Sequence, residues 1–171
     1  MLYMKNIELK LQIDTFGGIV NALKRLRAKH KGKFLQTDTY YNCPNGRFKI
    51  RENNGNDFEI IFYQRPDKKA SKVSFYLVSK IEKSQLKKEK NIFKEALGEK
   101  VVVKKQRDLW LYKNTRVHLD KVSGLGNYLE LETEVEKAGK NAKKEHNKII
   151  NLLNLSKYKT CDKSYSDMVL R

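Results

Sequence analysis

The stretch Asn6-Ile7-Glu8-Leu9-Lys10-Leu11-Gln12-Ile13 restricts what this chain can fold into more than any other. It alternates without a break, with Ile7, Leu9, Leu11 and Ile13 on one face and Asn6, Glu8, Lys10 and Gln12 on the other. A period of two defines a strand with one apolar and one polar face. For an isolated strand the polar face is simply solvated. Later strands repeat the arrangement, however, with the signs of their charges sorted strand by strand.

Read in order, the chain gives a helix after the first strand, with Asp14 or Thr15 as its cap and Ile19, Val20, Leu23 and Leu26 as its apolar stripe. It is expected to run through the cations of 25–31 and to stop at Gly32. Strands are expected at 34–42, 47–51, 58–65 and 72–80, with turns at Pro44-Asn45-Gly46 and Asn53-Asn54-Gly55-Asn56. A Lys-rich helix over 81–97 ends at Gly98. Three more strands follow at 100–112, 115–122 and 127–135, then a helix over 140–153 and a short helical turn at 164–170. Hairpin connections imply an antiparallel sheet, and closing that sheet removes its edges. The expected fold is α+β: a closed eight-stranded antiparallel barrel, forming one domain over 1–171, with three helices outside.

Arg47, Lys49 and Arg51 share one strand face; Lys105 and Arg107 share another; Arg116, His118 and Asp120 a third; Glu130, Glu132 and Glu134 a fourth. Like charges side by side repel, and folding alone does not call for them. If these faces point into the barrel, the apolar faces point outward, where helices can cover them. The interior is then a wet tunnel with a basic wall and an acidic cluster. Arg and Lys neutralise phosphate oxygens. Carboxylates hold Mg²⁺ or Mn²⁺, which bridges to phosphate. A metal-bound polyphosphate makes sense of both signs at once.

Composition agrees. The 171 residues include 37 Lys and Arg against 20 Asp and Glu, a net charge of +17, which suits a polyanionic partner. No aromatic-interleaved basic stripe or nucleic-acid motif is present, which disfavours nucleic acid despite the basic helices. Cys43 and Cys161 are far apart, outside any metal-ligand spacing, and read as reduced thiols. There is no signal-like or membrane-length apolar run, so a soluble cytoplasmic protein is expected, with no membrane partner.

Motifs in order along the chain carry a resemblance to a known family. They are Asn6-Ile7-Glu8-Leu9-Lys10, Gln36-Thr37-Asp38-Thr39-Tyr40-Tyr41, Gly46-Arg47-Phe48-Lys49-Ile50-Arg51, Tyr63-Gln64-Arg65-Pro66-Asp67, Lys72-Val73-Ser74-Phe75-Tyr76, Val103-Lys104-Lys105-Gln106-Arg107, Thr115-Arg116-Val117-His118-Leu119-Asp120, Gly124-Leu125-Gly126-Asn127-Tyr128-Leu129-Glu130-Leu131-Glu132 and Ser164-Tyr165-Ser166-Asp167. Together they resemble the CYTH family of triphosphate tunnel metalloenzymes, in its class IV adenylyl cyclase-like branch. The resemblance implies an eight-stranded tunnel that binds a triphosphate with Mg²⁺ or Mn²⁺. It makes Glu8, Glu130 and Glu132 metal ligands, and Asp120 a ligand or acid-base group. Lys10, Arg47, Lys49, Arg51, Arg65, Lys105, Arg107 and Arg116 become phosphate ligands, Lys72 a weaker one, and Lys10 also a catalytic candidate.

The implied reaction is conversion of ATP to cyclic AMP and pyrophosphate. The alternatives are hydrolysis of tripolyphosphate or thiamine triphosphate, and a binding module without turnover. The last enters because Asn6 stands where the family motif E-x-E-x-K has its first Glu, and an amide is the poorer ligand for a hard dication. A homodimer is compatible with the resemblance. His30 and His146 are read as helix-borne surface or packing residues, and His118 as at least as much structural as catalytic. Trp110 and Tyr112 read as core, and Tyr40, Tyr41 and Tyr76 as packing residues within reach of a base.

Overall fold

The structure is a computed structural model that describes residues 4–67 and 70–170. Its centre is a closed antiparallel barrel. The strands are β1 (Met4–Gln12), β2 (Lys29–Tyr41), β3 (Arg47–Asn53), β4 (Asp57–Gln64), β5 (Lys72–Ile81), β6 (Glu99–Tyr112), β7 (Thr115–Val122) and β8 (Gly126–Glu134). They are ordered β5-β4-β3-β2-β6-β7-β8-β1, and β1 pairs back onto β5 to close the ring. The expected eight-stranded barrel is therefore the observed fold. A ninth strand, the two residues of β9 (Lys159–Thr160), was not foreseen. The β1–β5 ladder ends at Glu8↔Lys72, and β9 takes the edge of β1 beyond it, at Leu11 and Gln12.

Among the described residues five α-helices accompany the barrel: α1 (Gly17–Arg25), α2 (Lys83–Leu97), α3 (Val135–Ala138), α4 (Ala142–Leu152) and α5 (Tyr165–Val169). The apolar faces do point outward. Leu9, Leu11, Val117, Leu119, Leu129 and Leu131 form one core with Ile19 and Leu23 of α1, Ile149 of α4, Leu153 and Leu155. Trp110 belongs to it, as expected. Helix α2 is held more lightly and buries no residue fully. Its Phe93 meets Tyr41 and Phe48 edge-on at 5.7 and 4.9 Å. Gly46 leads into β3 with φ +108, and a Cβ there would lie 2.7 Å from the Tyr63 carbonyl oxygen, so only glycine fits this turn.

Two local expectations are corrected. First, α1 ends at Arg25 instead of reaching Gly32. Arg27 turns left-handed (φ 54), the Ala28 N–H closes back on the Leu23 carbonyl at 3.0 Å, and Lys29, His30 and Lys31 begin β2. The reason is tertiary: β6 is fourteen residues long and offers partners as far as Lys29↔Leu111. His30 therefore lies on a strand, with Nε2 2.6 Å from Asp108 Oδ1. Second, neither Asp14 nor Thr15 caps α1, whose N-cap is Phe16 with no side-chain cap. The Asp14 carbonyl instead accepts a hydrogen bond from Asn127 Nδ2 at 2.7 Å, fixing this loop to β8.

Among the described residues no helix is long and apolar enough to cross a membrane.

Candidate active site

Alternation along the strands turns the charged faces inward. They line a cavity of about 360 Å³ that takes in Glu8, Lys10, Lys49, Arg51, Arg65, Lys105, Arg107, Arg116, Glu130 and Glu132. Ten of the thirteen residues singled out from sequence thus face one space. The chain near the C-terminus is stapled across one end of it. Lys10 Nζ donates to the Lys163 carbonyl (3.1 Å), Lys72 Nζ to the Asp162 carbonyl (3.0 Å), and Arg47 Nη2 to Asp167 (2.7 Å). Helix α5 enters here through a capping box between Ser164 and Asp167. Arg47 and Lys72 therefore bind this closing segment and do not line the cavity.

The basic wall is organised by a residue that the sequence reading did not select. Asp38 on β2 is fully buried and accepts from Lys49 Nζ (2.8 Å), from Arg51 Nε and Nη2 (2.7 and 2.8 Å), and from Lys105 Nζ (2.8 Å). Strand register makes this convergence, since Asp38 lies opposite Arg51 on one side and Val103 on the other. Burial alone would raise the Asp38 carboxyl, but the Arg51, Lys105 and Lys49 charges overcome it and hold the group well below the usual carboxylate range. Burial in turn lowers Lys49 to about 7 and Lys105 to about 8, against the pull of Asp38. The signal was present in the sequence: Asp38 shares the inward face with Gln36 and Tyr40. Only pairing showed that three cations needed one counter-ion.

A second buried carboxylate plays a similar part. Asp120 accepts from Arg107 Nε and Nη2 (2.7 and 2.6 Å) and from the Tyr165 hydroxyl (3.0 Å). It shares Arg107 Nη2 with Glu130, so the guanidinium bridges the two carboxylates. Asp120 thus orients Arg107, whose Nη2 reaches Glu130 at 2.8 Å.

The acids gather on β1, β7 and β8. Register sets Glu8 opposite Glu132 and Lys10 opposite Glu130, with His118 opposite Glu130 from the other side. The ligand atoms of His118, Glu130 and Glu132 lie within 4.8 Å of one another. His118 Nδ1 is buried, makes no hydrogen bond, and is 3.8 Å from Glu130 and 3.7 Å from Glu132. Burial, with Arg107 nearby, lowers the His118 pKa, which favours the neutral imidazole that a metal requires.

Glu130 is pulled down against burial by Lys10, His118 and Arg107, and Glu132, against burial, to about 2 by His118, Arg116 and Arg107. Glu8 goes the other way, to about 7, chiefly from burial and then from Glu132. An orphaned nitrogen facing two ionised carboxylates, with a third held partly protonated beside them, is a donor set that a divalent cation fits. His118 belongs to this set, although its residue type alone did not separate it from a structural histidine. Asn6 turns its amide to Arg116, with Oδ1 2.9 Å from Nη2.

His146, read from sequence as surface or packing, is fully buried packing. Nδ1 meets Thr133 Oγ1 (2.9 Å) and Nε2 meets Ser71 Oγ (3.0 Å), and burial lowers its pKa to about 4.

A closed antiparallel barrel with a basic, acid-lined interior defines a class, and the comparisons with known proteins agree. The family model of the CYTH domain matches residues 4–165, and the chain belongs to the CYTH family. A protein of Methanocaldococcus jannaschii named as a candidate adenylate cyclase is 33% identical over 177 residues, covering 96% of this chain and 98% of its own. Solved structures share the fold as well. The PH1012 protein of Pyrococcus horikoshii has a TM-score of 0.81 at 22% identity, covering 95% of this chain and 98% of its own. A candidate adenylyl cyclase from Hippeastrum, described as having a dominant triphosphatase activity, has a TM-score of 0.68 at 15% identity, covering 96% and 94%.

Proposed function

We propose that this chain is a metal-dependent enzyme that binds a triphosphate inside the barrel and converts ATP to cyclic AMP and pyrophosphate. The observation that carries the reading is the convergence of seven cations and the His118–Glu130–Glu132 group on one cavity. Lys10, Lys49, Arg51, Arg65, Lys105, Arg107 and Arg116 would neutralise and orient the phosphates, which is most of what phosphoryl and nucleotidyl transfer ask of a protein.

Asp38 and Asp120 keep these cations in place before the ligand arrives. Lys10 is pinned by Glu130 (3.1 Å) and by the Tyr165 ring, whose centroid is 3.8 Å away, so its ammonium is fixed beside the acids. Glu130, Glu132 and His118, with Glu8 alongside, would hold a dication. The nitrogen donor favours a transition ion such as Mn²⁺ over Mg²⁺. A bound dication supplies Lewis-acid neutralisation of phosphate charge. The resemblance to the Methanocaldococcus protein supports attack by the ribose 3′-hydroxyl at the α-phosphorus.

Hydrolysis of a terminal phosphate is the second reading. The same cations and acids serve it, and the Hippeastrum relative's description favours it.

The test is product analysis with Mg²⁺ or Mn²⁺ and, separately, ATP, tripolyphosphate and thiamine triphosphate. Cyclic AMP with pyrophosphate is the expected result. Orthophosphate would replace the cyclase reading with the hydrolase one. Triphosphate binding without product would make the tunnel a binding module, consistent with Asn6 being turned to Arg116. Absence of triphosphate binding would overturn the proposal.

A further inference from the structure

The interior is not uniformly charged. Away from the end closed by the C-terminal segment, Phe34, Ile61, Val78 and Leu109 also line the cavity. Phe34, Val78 and Leu109 remain partly exposed, although they point into a concave space. Wet apolar surface of this kind gains free energy when a flat organic group covers it. Tripolyphosphate has no such group, whereas a nucleoside triphosphate carries one on the same molecule.

Gln36 lies among these residues and is only 7% exposed. Its Nε2 donates to Asn53 Oδ1 (2.8 Å), and Asn53 Nδ2 donates to the Asp57 carboxylate (3.1 Å), which also takes Lys80. An ionised carboxylate only accepts, so the chain of amides runs in one direction. Both Gln36 and Asn53 have their orientations set by it. Gln36 Oε1 is left as a buried acceptor with no partner. Buried acceptors are rarely left unpaired without a reason, and this one calls for a hydrogen-bond donor, of which a base offers an amino N–H.

We infer that Gln36 and the apolar residues around it form the site for the base of a nucleoside triphosphate. Gln36 Oε1 accepts from an exocyclic amino group, so adenine or cytosine is preferred over a base with a keto group at that position. The inference rests on the triphosphate reading above. It adds a specificity residue that is neither a phosphate nor a metal ligand. A keto oxygen would set acceptor against acceptor, and the Gln36 amide cannot turn over to help because Asn53 holds its nitrogen. Sites built around one hydrogen bond reject the mismatched ligand more strongly than purely apolar pockets do.

The experiment is equilibrium binding without divalent metal, so that nothing turns over, comparing ATP, inosine triphosphate and tripolyphosphate. ATP is expected to bind at least about tenfold more tightly than inosine triphosphate, which has a keto oxygen in place of the 6-amino group and a proton on N1. Gln36→Leu should bring the two nucleotides within about twofold of each other while leaving tripolyphosphate unchanged. Leu109→Ala should weaken ATP but not tripolyphosphate. Equal affinities of the wild-type chain for the two nucleotides would overturn the inference, and that comparison needs no variant to fold. If tripolyphosphate also binds, the triphosphate reading survives its loss. If tripolyphosphate binds the wild-type chain neither without nor with Mg²⁺, that reading falls and the inference with it.

Discussion

On β7, Val117 and Leu119 sit in a hydrocarbon core, while His118 and Asp120, one position away, sit among ions. The same split runs along β8, where Leu129 and Leu131 pack against the helices and Glu130 and Glu132 line the tunnel. The two faces of one strand thus live in different solvents. The outer face gains stability by removing apolar area from water. The inner face keeps ionised groups together at a cost in desolvation. The barrel wall separates the two tasks by the thickness of a single strand, so neighbouring residues should respond to substitution in opposite ways.

Asp38 is the place where that contrast should break. Asp38→Asn leaves two buried lysines and the partly buried Arg51 without their counter-ion, and unfolding measurements should show a loss of about 3–5 kcal/mol. This inner-face residue is expected to behave like a core one. On the outer face, Leu129→Ala should cost about 2–5 kcal/mol, with triphosphate affinity of the folded protein unchanged. On the inner face, Arg51→Ala should weaken tripolyphosphate binding by at least about tenfold, as expected for losing a charge-assisted contact. Replacing Lys87 or Lys88 on α2 should leave binding unaltered. Equal losses from α2 and from Arg51 would show that binding follows net charge, not the tunnel.

The smaller effects sharpen the picture. Lys49 and Lys105 have pKa values lowered by burial to about 7 and about 8, and only their protonated forms attract phosphate. Tripolyphosphate affinity should therefore fall as pH rises through this range, and Lys49→Arg should flatten part of the decline. Stability moves the other way. The unfolded chain holds these two protons more tightly, so their contribution to stability rises with pH from the folded values toward the ordinary 10.5. The last is Asn6→Glu, which should tighten Mn²⁺ binding by adding a carboxylate to the donor set. An unchanged Mn²⁺ titration would show that position 6 belongs to Arg116 and not to the metal.

Much of the site was legible from alternation. Sorted charges at Arg47, Lys49 and Arg51, and at Glu130, Glu132 and Glu134, indicated an interior before any partner was known. Less legible was how each charge is spent. Arg47 and Lys72 resemble the phosphate ligands in sequence, yet they hold the segment that closes the barrel. Asp120 was expected as a metal ligand or acid-base group, and in the chain both its oxygens accept from Arg107. Asp38 and His118 looked ordinary until register placed one beneath three cations and the other against two carboxylates. The short helix α1 shows the same limit. A cation run suited to a helix end became strand because β6 was long enough to pair with it.

Period-two patterning, by itself, determined the strands, which face of each is apolar, and that the opposite faces carry sorted charge. This follows because side-chain direction in a strand depends only on residue parity. The counter-ions, the closed end and the unpaired Gln36 oxygen were decided by tertiary structure alone. Each depends on which residues face one another across strands far apart in the chain, and that is set by register and closure.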